Sequence, residues 1–398
     1  MLHILPISDS KDIRQLMQEI KVDPYGIKIM LPKTITHLVR VNSLSCIAAN
    51  VLKQEMLSLG ADAAVSRGTL TGKNRKTDCL LMGNLAQFNR LNQKLCRQPF
   101  GLNRLAQELS LAVDNYQKND FSIDLGRYKL NLEEGRTAIM GIINVTPDSF
   151  SGDGLYGLNK EEIIGYAERL VGEGADMIDV GGESSRPGAK AVPVKEEISR
   201  IIPVIKLLAK RIKVPLSVDT RKPEVAKQAL DNGAVILNDI SGLRNVKMVK
   251  LVAKYRAGVV IMHMKGNPRT MQRRPVYKSL VAEIIEYLDR AINMAVSAGV
   301  NREKIIIDPG IGFGKLTEHN LEILKELKSF KVLGRPILVG PSRKAFIGKI
   351  LNLPPQERIF GTVSACVLAA QNRANIVRVH DVQAVKQALK VADRVNKA

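Results

Sequence analysis

Short apolar runs in this sequence each lead into residues that can bind or stabilise charged groups. The run from Thr137 to Ile143 is rich in β-branched residues and ends at Asn144, and Pro147 in the next turn cannot donate to a sheet. Polar groups follow seven further runs: Ser185 with Arg186, Asp219, Asn238 with Asp239, His263, Asp308, Ser342 with Arg343 and Lys344, and Arg378 with His380. Carboxylates, amides and cations in such a set could bind a polar ring and an anion.

The regular spacing of these runs predicts an α/β fold of eight strands, with helices between them. The predicted strands are 137–144, 175–180, 215–219, 235–239, 259–263, 305–308, 336–340 and 376–379. Eight βα units in roughly 275 residues are what a (β/α)8 TIM barrel needs. A doubly wound open sheet is the competing interpretation. One Asp at a strand end is often a helix cap, but polar groups at all eight ends predict a shared site at the carboxyl rim.

The first 118 residues differ from the barrel region and predict a small α+β or α/β domain of unknown role. We expect a helix over Lys11–Ile20, a turn at 23–26, a strand over 27–31, a helix over 44–59 and a strand over 79–82. The polar stretch Gln117–Asp120 marks the predicted boundary, and the barrel domain is predicted over residues 121–398.

Composition narrows the class of protein. The chain has 398 residues, is 45% hydrophobic and has four cysteines without metal-ligand spacing, which favours a reducing compartment. The first ten residues do not have the pattern of a signal peptide, and no apolar run would span a membrane, so we expect a cytoplasmic protein. The net charge of +21 is dispersed, with only 4% aromatic residues. The dispersal of the charge and the scarcity of aromatic residues disfavour nucleic-acid binding. A positive surface of this kind would instead attract small anions.

Eight segments of the sequence together resemble those of dihydropteroate synthase, the pterin-binding barrel family of folate biosynthesis. The resemblance covers the chain from about residue 121 to its end. It rests on segments 140–151, 179–188, 217–220, 237–242, 262–268, 308–315, 340–344 and 377–382. The family more often has Thr at the position of Ser185, and often Ser-Asp-Gly-Gly where this chain has Ser-Gly-Asp-Gly at 151–154. Both departures are mild.

The resemblance implies roles for individual residues. It implies a pterin pocket formed by Asp219, Asn238, Met262, Asp308, Gly340, Lys344 and Arg378. It implies a pyrophosphate group of Asn144, Arg186, Arg378 and His380, with Asn144 also ligating Mg2+, the expected cofactor. It implies a p-aminobenzoate site of Phe150, Ser185, Arg186, Pro187, Phe313 and Ser342. Among all of these, Asn144, Arg186, Lys344, Arg378 and His380 are the predicted catalytic residues.

The implied reaction joins 6-hydroxymethyl-7,8-dihydropterin pyrophosphate to p-aminobenzoate and releases pyrophosphate. An uncharged aryl amine needs no strong base, and the sequence offers no obvious His–carboxylate pair. Three alternatives stay open: a related synthase that uses a ribosylated aminobenzene, a pterin-dependent methyltransferase, and a pterin-binding protein without activity. The resemblance also implies a homodimer, for which the apolar helix Val363–Ala370 is a candidate surface.

Overall fold

The computed structural model describes residues 2–3, 5, 10–71, 75–146, 160–184, 191–268, 270–273 and 275–396. The chain divides into two compact units, residues 1–114 and residues 115–398. Within the described ranges, every helix lacks the length or the apolar character needed to cross a bilayer.

The first unit is a three-stranded antiparallel sheet packed against helices. Its strand order is β1-β3-β2, and apolar side chains such as Leu52, Leu81, Phe88 and Leu91 form its core. The elements are α1 (Ser10–Glu19), α2 (Pro24–Met30), β1 (Thr36–Ser45), α3 (Cys46–Ser58), β2 (Asp62–Val65), β3 (Lys76–Asn84), α4 (Leu85–Leu95) and α5 (Leu102–Gln117). The division between the units falls after residue 114, within helix α5. The boundary predicted at residue 118 lies slightly later in the chain.

The strand predicted over residues 27–31 is wrong, because these residues belong to helix α2 and the single turn of 3₁₀ helix that follows it. The carboxylate of Asp23 accepts hydrogen bonds from the backbone N–H groups of Tyr25 and Gly26, at 2.8 and 3.3 Å. Pro24 occupies the first helical position, where its fixed φ is favourable. The Asp-Pro pair is therefore a helix start and not an isolated turn.

A β-hairpin fills the amino-terminal end of the barrel. Its strands are β4 (Phe121–Asp124) and β5 (Lys129–Leu132), paired antiparallel. Their buried side chains, such as Ile123 and Leu130, belong to one cluster with residues from the starts of the barrel strands, including Ala138, Met177 and Ile376. Burial of this apolar surface anchors the hairpin to the barrel.

The eight predicted barrel strands are present in one parallel sheet. They are β6 (Ala138–Asn144), β7 (Met177–Gly181), β8 (Leu216–Asp219), β9 (Ile236–Asp239), β10 (Gly258–Met262), β11 (Ile305–Asp308), β12 (Leu338–Val339) and β13 (Ile376–Val379). The order is β11-β10-β9-β8-β7-β6-β13-β12, and a parallel bridge between Ile307 and Ile337 connects its two edges. The prediction of a TIM barrel is confirmed, and the open sheet is excluded.

Helices surround the barrel and bury its outer face. They are α6 (Lys160–Gly172), α7 (Val194–Arg211), α8 (Pro223–Asp231), α9 (Val246–Tyr255), α10 (Leu280–Ser297), α11 (Thr317–Lys325), α12 (Ala345–Leu351), α13 (Ile359–Gln371) and α14 (Val382–Val395). Barrel strands such as β10 and β11 are buried along their whole length, which explains their continuous apolar sequences. The polar residues at the carboxyl ends of these strands stand out against this background.

Candidate active site

The carboxyl ends of neighbouring strands bring the predicted polar residues to one rim. Asn144, Asp219 and Asp308 are the last residues of β6, β8 and β11. Asn238 lies one residue before the end of β9, in register with Asp219 on the neighbouring strand. Parallel pairing keeps these ends at the same height, so the side chains face a common space.

Arg378 in β13 connects two carboxylates across the barrel. Its Nε donates to Asp179 Oδ2 at 2.6 Å, and its Nη2 donates to Asp219 Oδ2 at 2.9 Å. Asn238 Nδ2 donates to the same Asp179 oxygen at 2.9 Å. The predicted residues Asp219, Asn238 and Arg378 therefore form one bonded network, in which Asp179 is the common partner.

Asp179 was not among the predicted site residues. It lies within β7, is fully buried, and has one oxygen, Oδ1, without a hydrogen-bond partner among the described residues. A buried carboxylate oxygen without a partner is strongly unfavourable, so it indicates a place where a ligand or water donates. The available signal was a charged residue inside an otherwise apolar strand, in the segment Met-Ile-Asp-Val-Gly.

The electrostatics of the rim raise the pKa values of two carboxyl groups. Burial raises the pKa of Asp219 to about 7, with Asp179 and Glu197 adding to the effect and Arg378 opposing it. Burial likewise raises the pKa of Asp308 to about 6, opposed by the hydrogen bond from the Gly310 backbone N–H. Carboxyl groups poised near neutral pH can accept hydrogen bonds from a polar ring or exchange a proton with it.

Apolar side chains form another part of the rim. Met262 and Phe313 belong to a buried cluster with Ile240, Met264 and Met271. The ammonium of Lys344 lies 4.1 Å from the centroid of the Phe313 ring, a cation–π contact. Gly340 faces Arg378, because a Cβ on Gly340 would stand 3.8 Å from the Cβ of Arg378. A flat ring could lie between this apolar wall and the polar network.

A separate polar group joins Asn144, His380 and Ser342. Asn144 Nδ2 lies 3.4 Å from His380 Nε2, and His380 Nδ1 lies 3.0 Å from Ser342 Oγ. The backbone N–H of His380 also donates to Ser342 Oγ, at 3.2 Å. Three predicted residues from three strand ends thus meet at one place, where the hydroxyl, amide and imidazole can contact an anion.

The glycine-rich segment after β11 packs tightly against the end of β10. Gly310 has a φ of +72°, and a Cβ there would lie only 1.9 Å from the carbonyl oxygen of His263. His263 is buried, and burial lowers its pKa to about 2. The described residues contain no group of three or more His, Cys, Asp or Glu side chains placed to hold a metal.

Four predicted residues, Phe150, Ser185, Arg186 and Pro187, lie outside the described residues. The guanidinium of Arg343, another cation of the rim sequence, forms a two-point contact with the Asp381 carboxylate, including a 3.0 Å bond from its Nε. Arg343 is therefore held by a protein carboxylate, although the sequence suggested that it would meet an anionic ligand.

Residues that border the segment 185–190 form a polar network that sequence reasoning missed. Lys222 Nζ contacts Glu183 Oε2 at 2.8 Å and donates to the carbonyl of Val192 at 2.6 Å. Lys222 also pairs with Glu197, which is fully buried. A single ammonium thus contacts residues on both sides of this segment.

A model of the family described as pterin binding enzyme matches residues 140–380. The chain belongs to this pterin-binding family, and its relatives place the barrel among the dihydropteroate synthases. A dihydropteroate synthase of Synechocystis is 47% identical over 260 residues, which are 65% of this chain and 90% of the relative. The Xanthomonas albilineans dihydropteroate synthase solved with 4-aminobenzoic acid is 43% identical, with a TM-score of 0.65, over 70% of this chain and 99% of that one.

A further relative also matches the first unit. The probable bifunctional folylpolyglutamate synthase/dihydropteroate synthase of Halobacterium salinarum is 40% identical over 384 residues. The match covers 96% of this chain but only 46% of the relative, so this chain spans about half the length of that protein. The amino-terminal unit thus has a counterpart in that relative.

Proposed function

We propose that the carboxyl rim of the barrel carries out the dihydropteroate synthase reaction, joining p-aminobenzoate to 6-hydroxymethyl-7,8-dihydropterin pyrophosphate. The observation that carries this proposal is the network of Arg378, Asp179, Asp219 and Asn238 beside an apolar wall. The edge of a pterin ring has several N–H donors and acceptors, which carboxylates and an amide can match. The family membership of the chain supports the same reaction.

The pterin would occupy the space between the polar network and the wall of Met262 and Phe313. Asp219, Asn238 and Asp308 would bond its edge, with Gly340 allowing close approach. Lys344 would donate to a ring oxygen or nitrogen, because its ammonium lies over Phe313 at the same rim. The orphan oxygen of Asp179 supports this placement, since a ring N–H could satisfy it.

The pyrophosphate would lie beside the group formed by Asn144, Ser342 and His380, with Arg378 and the predicted Arg186 as cations. When the pterin C–O bond breaks, negative charge grows on the leaving pyrophosphate and positive character grows on the pterin methylene carbon. Cations and N–H donors on one side and buried carboxylates on the other stabilise both charges. The aryl amine can attack without a strong base, because it is neutral at physiological pH.

Mg2+ fits this site through the chemistry of its donors. The amide nitrogen of Asn144 contacts His380, so its amide oxygen is the group that would hold the cation. Mg2+ commonly takes one or two protein oxygens and completes its shell with phosphate oxygens and water. When bound, it would neutralise charge on the departing pyrophosphate.

The p-aminobenzoate would contact Phe313 and Ser342, and the predicted Phe150, Ser185, Arg186 and Pro187.

The experiment that tests the function is pyrophosphate release from the pterin pyrophosphate by the full chain. We expect release to depend on p-aminobenzoate and Mg2+, and to stop when EDTA is added. Formation of dihydropteroate, measured by mass spectrometry, must match the pyrophosphate released. Release only with a ribosylated aminobenzene would replace the proposed substrate, and pterin binding without any release would contradict the proposed activity.

We also propose that the barrel forms a homodimer through helix α13. Phe360 at its start is 82% exposed, and the exposed apolar residues Leu368, Ile350 and Leu351 lie on α13 and on the end of α12 that packs against it. A cluster of exposed apolar side chains of this kind is typical of an interaction surface. The family resemblance implies dimerisation through helices of the barrel, and α13 is the candidate among them.

The variant Phe360→Asp tests this surface. We expect sedimentation velocity to show a dimer for the unmodified chain and mainly monomer for the variant, because a carboxylate would be buried at the symmetric contact. Met294→Asp on α10, also at an exposed apolar position, is the matched control and should leave the dimer intact. Equal dissociation in both variants, or a monomeric parent chain, would remove α13 from consideration.

A further inference from the structure

Lys315 is a buried cation with no role in the proposed mechanism. It follows the glycine-rich segment after β11, and only 3% of its surface is exposed. Its Nζ lies 3.0 Å from His263 Nδ1 and donates to the carbonyl oxygens of Phe313, at 3.0 Å, and of His263, at 3.4 Å. These three acceptors are neutral, so the charge of Lys315 is not cancelled by the atoms that bind it.

The neighbouring negative charge is Asp308. The Gly310 N–H donates to Asp308 Oδ1 at 2.7 Å, and a Cβ on Gly310 would lie 3.3 Å from Lys315 Nζ. The ammonium and the carboxylate therefore flank the same glycine. Burial has the largest effect on both groups: it raises the pKa of Asp308 to about 6 and lowers the pKa of Lys315 to about 7. The charge of Lys315 opposes the first shift, and the charge of Asp308 opposes the second.

Among the described residues, the other charged groups that shift the pKa values of this pair are cations. Lys344 and Arg378 also lower the pKa of Asp308, and Lys344 opposes the charge of Lys315. His263 is uncharged at neutral pH, because burial and the nearby cations Lys315, Arg244 and Lys265 keep its pKa near 2. Its Nδ1 therefore accepts from the ammonium, and the imidazole proton is on Nε2.

We propose that Lys315 is a positioning residue for the pterin pocket. Its ammonium ties the loops after β10 and β11 together behind the bound ring, and its charge favours the ionised form of Asp308 that receives the ring N–H groups. This inference rests on the proposed function, in which Asp308 binds the pterin. It explains why a lysine, whose burial is unfavourable, stands where an apolar residue could fill the space.

The test compares Lys315→Met with Lys315→Arg. Methionine keeps most of the volume and removes the charge, so we expect the KM for the pterin pyrophosphate to rise about tenfold while that for p-aminobenzoate changes less than twofold. The acid limb of the kcat/KM profile for the pterin substrate should move to higher pH, because Asp308 then ionises less readily. Arginine should restore the acid limb of the profile at least in part.

Lys265→Met is the matched control, since Lys265 is a half-exposed cation that lowers the pKa of the same His263 and pairs with Glu283. It should not move the acid limb. A double-mutant cycle adds a second criterion: in an Asp308→Asn background, Lys315→Met should weaken binding of 6-hydroxymethyl-7,8-dihydropterin by less than a further twofold.

Two results would overturn the inference. One is an unchanged acid limb in Lys315→Met, and the other is an undiminished effect of this substitution on pterin binding in the Asp308→Asn background. Either would make Lys315 a residue of packing alone. Binding of the dihydropterin is measured without catalysis, so failure of the inference stays distinct from failure of the proposed reaction, which would show as binding without pyrophosphate release.

Discussion

We expect the variant Asp308→Asn to be more stable than the parent chain and nearly inactive. Burial raises the pKa of Asp308 to about 6, so the folded state opposes its ionisation. The fold binds this proton more tightly than the unfolded chain does. Its contribution to stability is therefore complete below about pH 4 and is lost as the pH rises to about 6.

Asparagine mimics the protonated form and still accepts the hydrogen bond from Gly310. At pH 7.5 the ligand-free variant should gain about 2 kcal/mol in its free energy of unfolding, since each pKa unit corresponds to about 1.4 kcal/mol. Urea denaturation at pH 5 and 7.5 measures this difference, which should be smaller at pH 5. The value of kcat/KM for the pterin pyrophosphate should fall about 1,000-fold through loss of the charged acceptor.

Asp308→Ala is the control for this comparison. It also removes the charge, but it leaves the Gly310 N–H without its acceptor and opens a small cavity, so the gain in stability should shrink or vanish. An active Asp308→Asn enzyme would remove the carboxylate from the proposed pterin pocket. A variant less stable than the parent at pH 7.5 would show that the Asp308 charge is better compensated than its burial implies.

The second large effect is expected from Arg378→Gln. This substitution leaves Asp179, which is fully buried, and Asp219 without their shared cation. Removal of one partner from a buried ion pair destabilises proteins by about 3 to 5 kcal/mol. We expect a loss of about 3 kcal/mol at pH 7.5 and a fall in kcat/KM of at least about 1,000-fold, because the same guanidinium contacts the pyrophosphate in the proposed mechanism.

The pH dependence of this loss has a defined sign. Arg378 opposes the rise in the pKa of Asp219, so without it the Asp219 carboxyl group binds its proton more tightly in the folded state, and the deficit should shrink as the pH falls from 7.5 to 5. The double variant Arg378→Gln with Asp219→Asn should recover part of the stability and none of the activity. Arg378→Lys retains a charge but not the two-point geometry, and should be intermediate in both measurements. A deficit independent of pH would speak against the bridge as its cause.

The barrel and its rim could be predicted because their signals are periodic and local. Each buried parallel strand is a short apolar run, and Asn144, Asp219 and Asp308 are the polar residues that end such runs. The strand β1 was missed because only one of its faces is partly buried, so its sequence alternates with polar residues such as Arg40 and Asn42. A strand of this type has no continuous apolar signal.

Partnerships between distant residues could not be read from the sequence. The sequence suggested that Arg343 would meet an anionic ligand, and only the fold shows that Asp381 holds it. Asp179 fell within the predicted strand 175–180 and was not predicted as a site residue, although its bonds to Arg378 and Asn238 place it in the candidate site. These contacts join residues far apart in the chain, and local patterns do not carry that information.

The hairpin β4–β5 determines the end of the barrel at which ligands would enter and leave. Because its side chains fill the amino-terminal end of the barrel, ligands would enter and leave from the opposite end. The departing pyrophosphate and the incoming p-aminobenzoate would then pass through the same opening at the carboxyl rim. Slow release of pyrophosphate would therefore delay the release of dihydropteroate. Added pyrophosphate should inhibit turnover, because it would occupy the same opening.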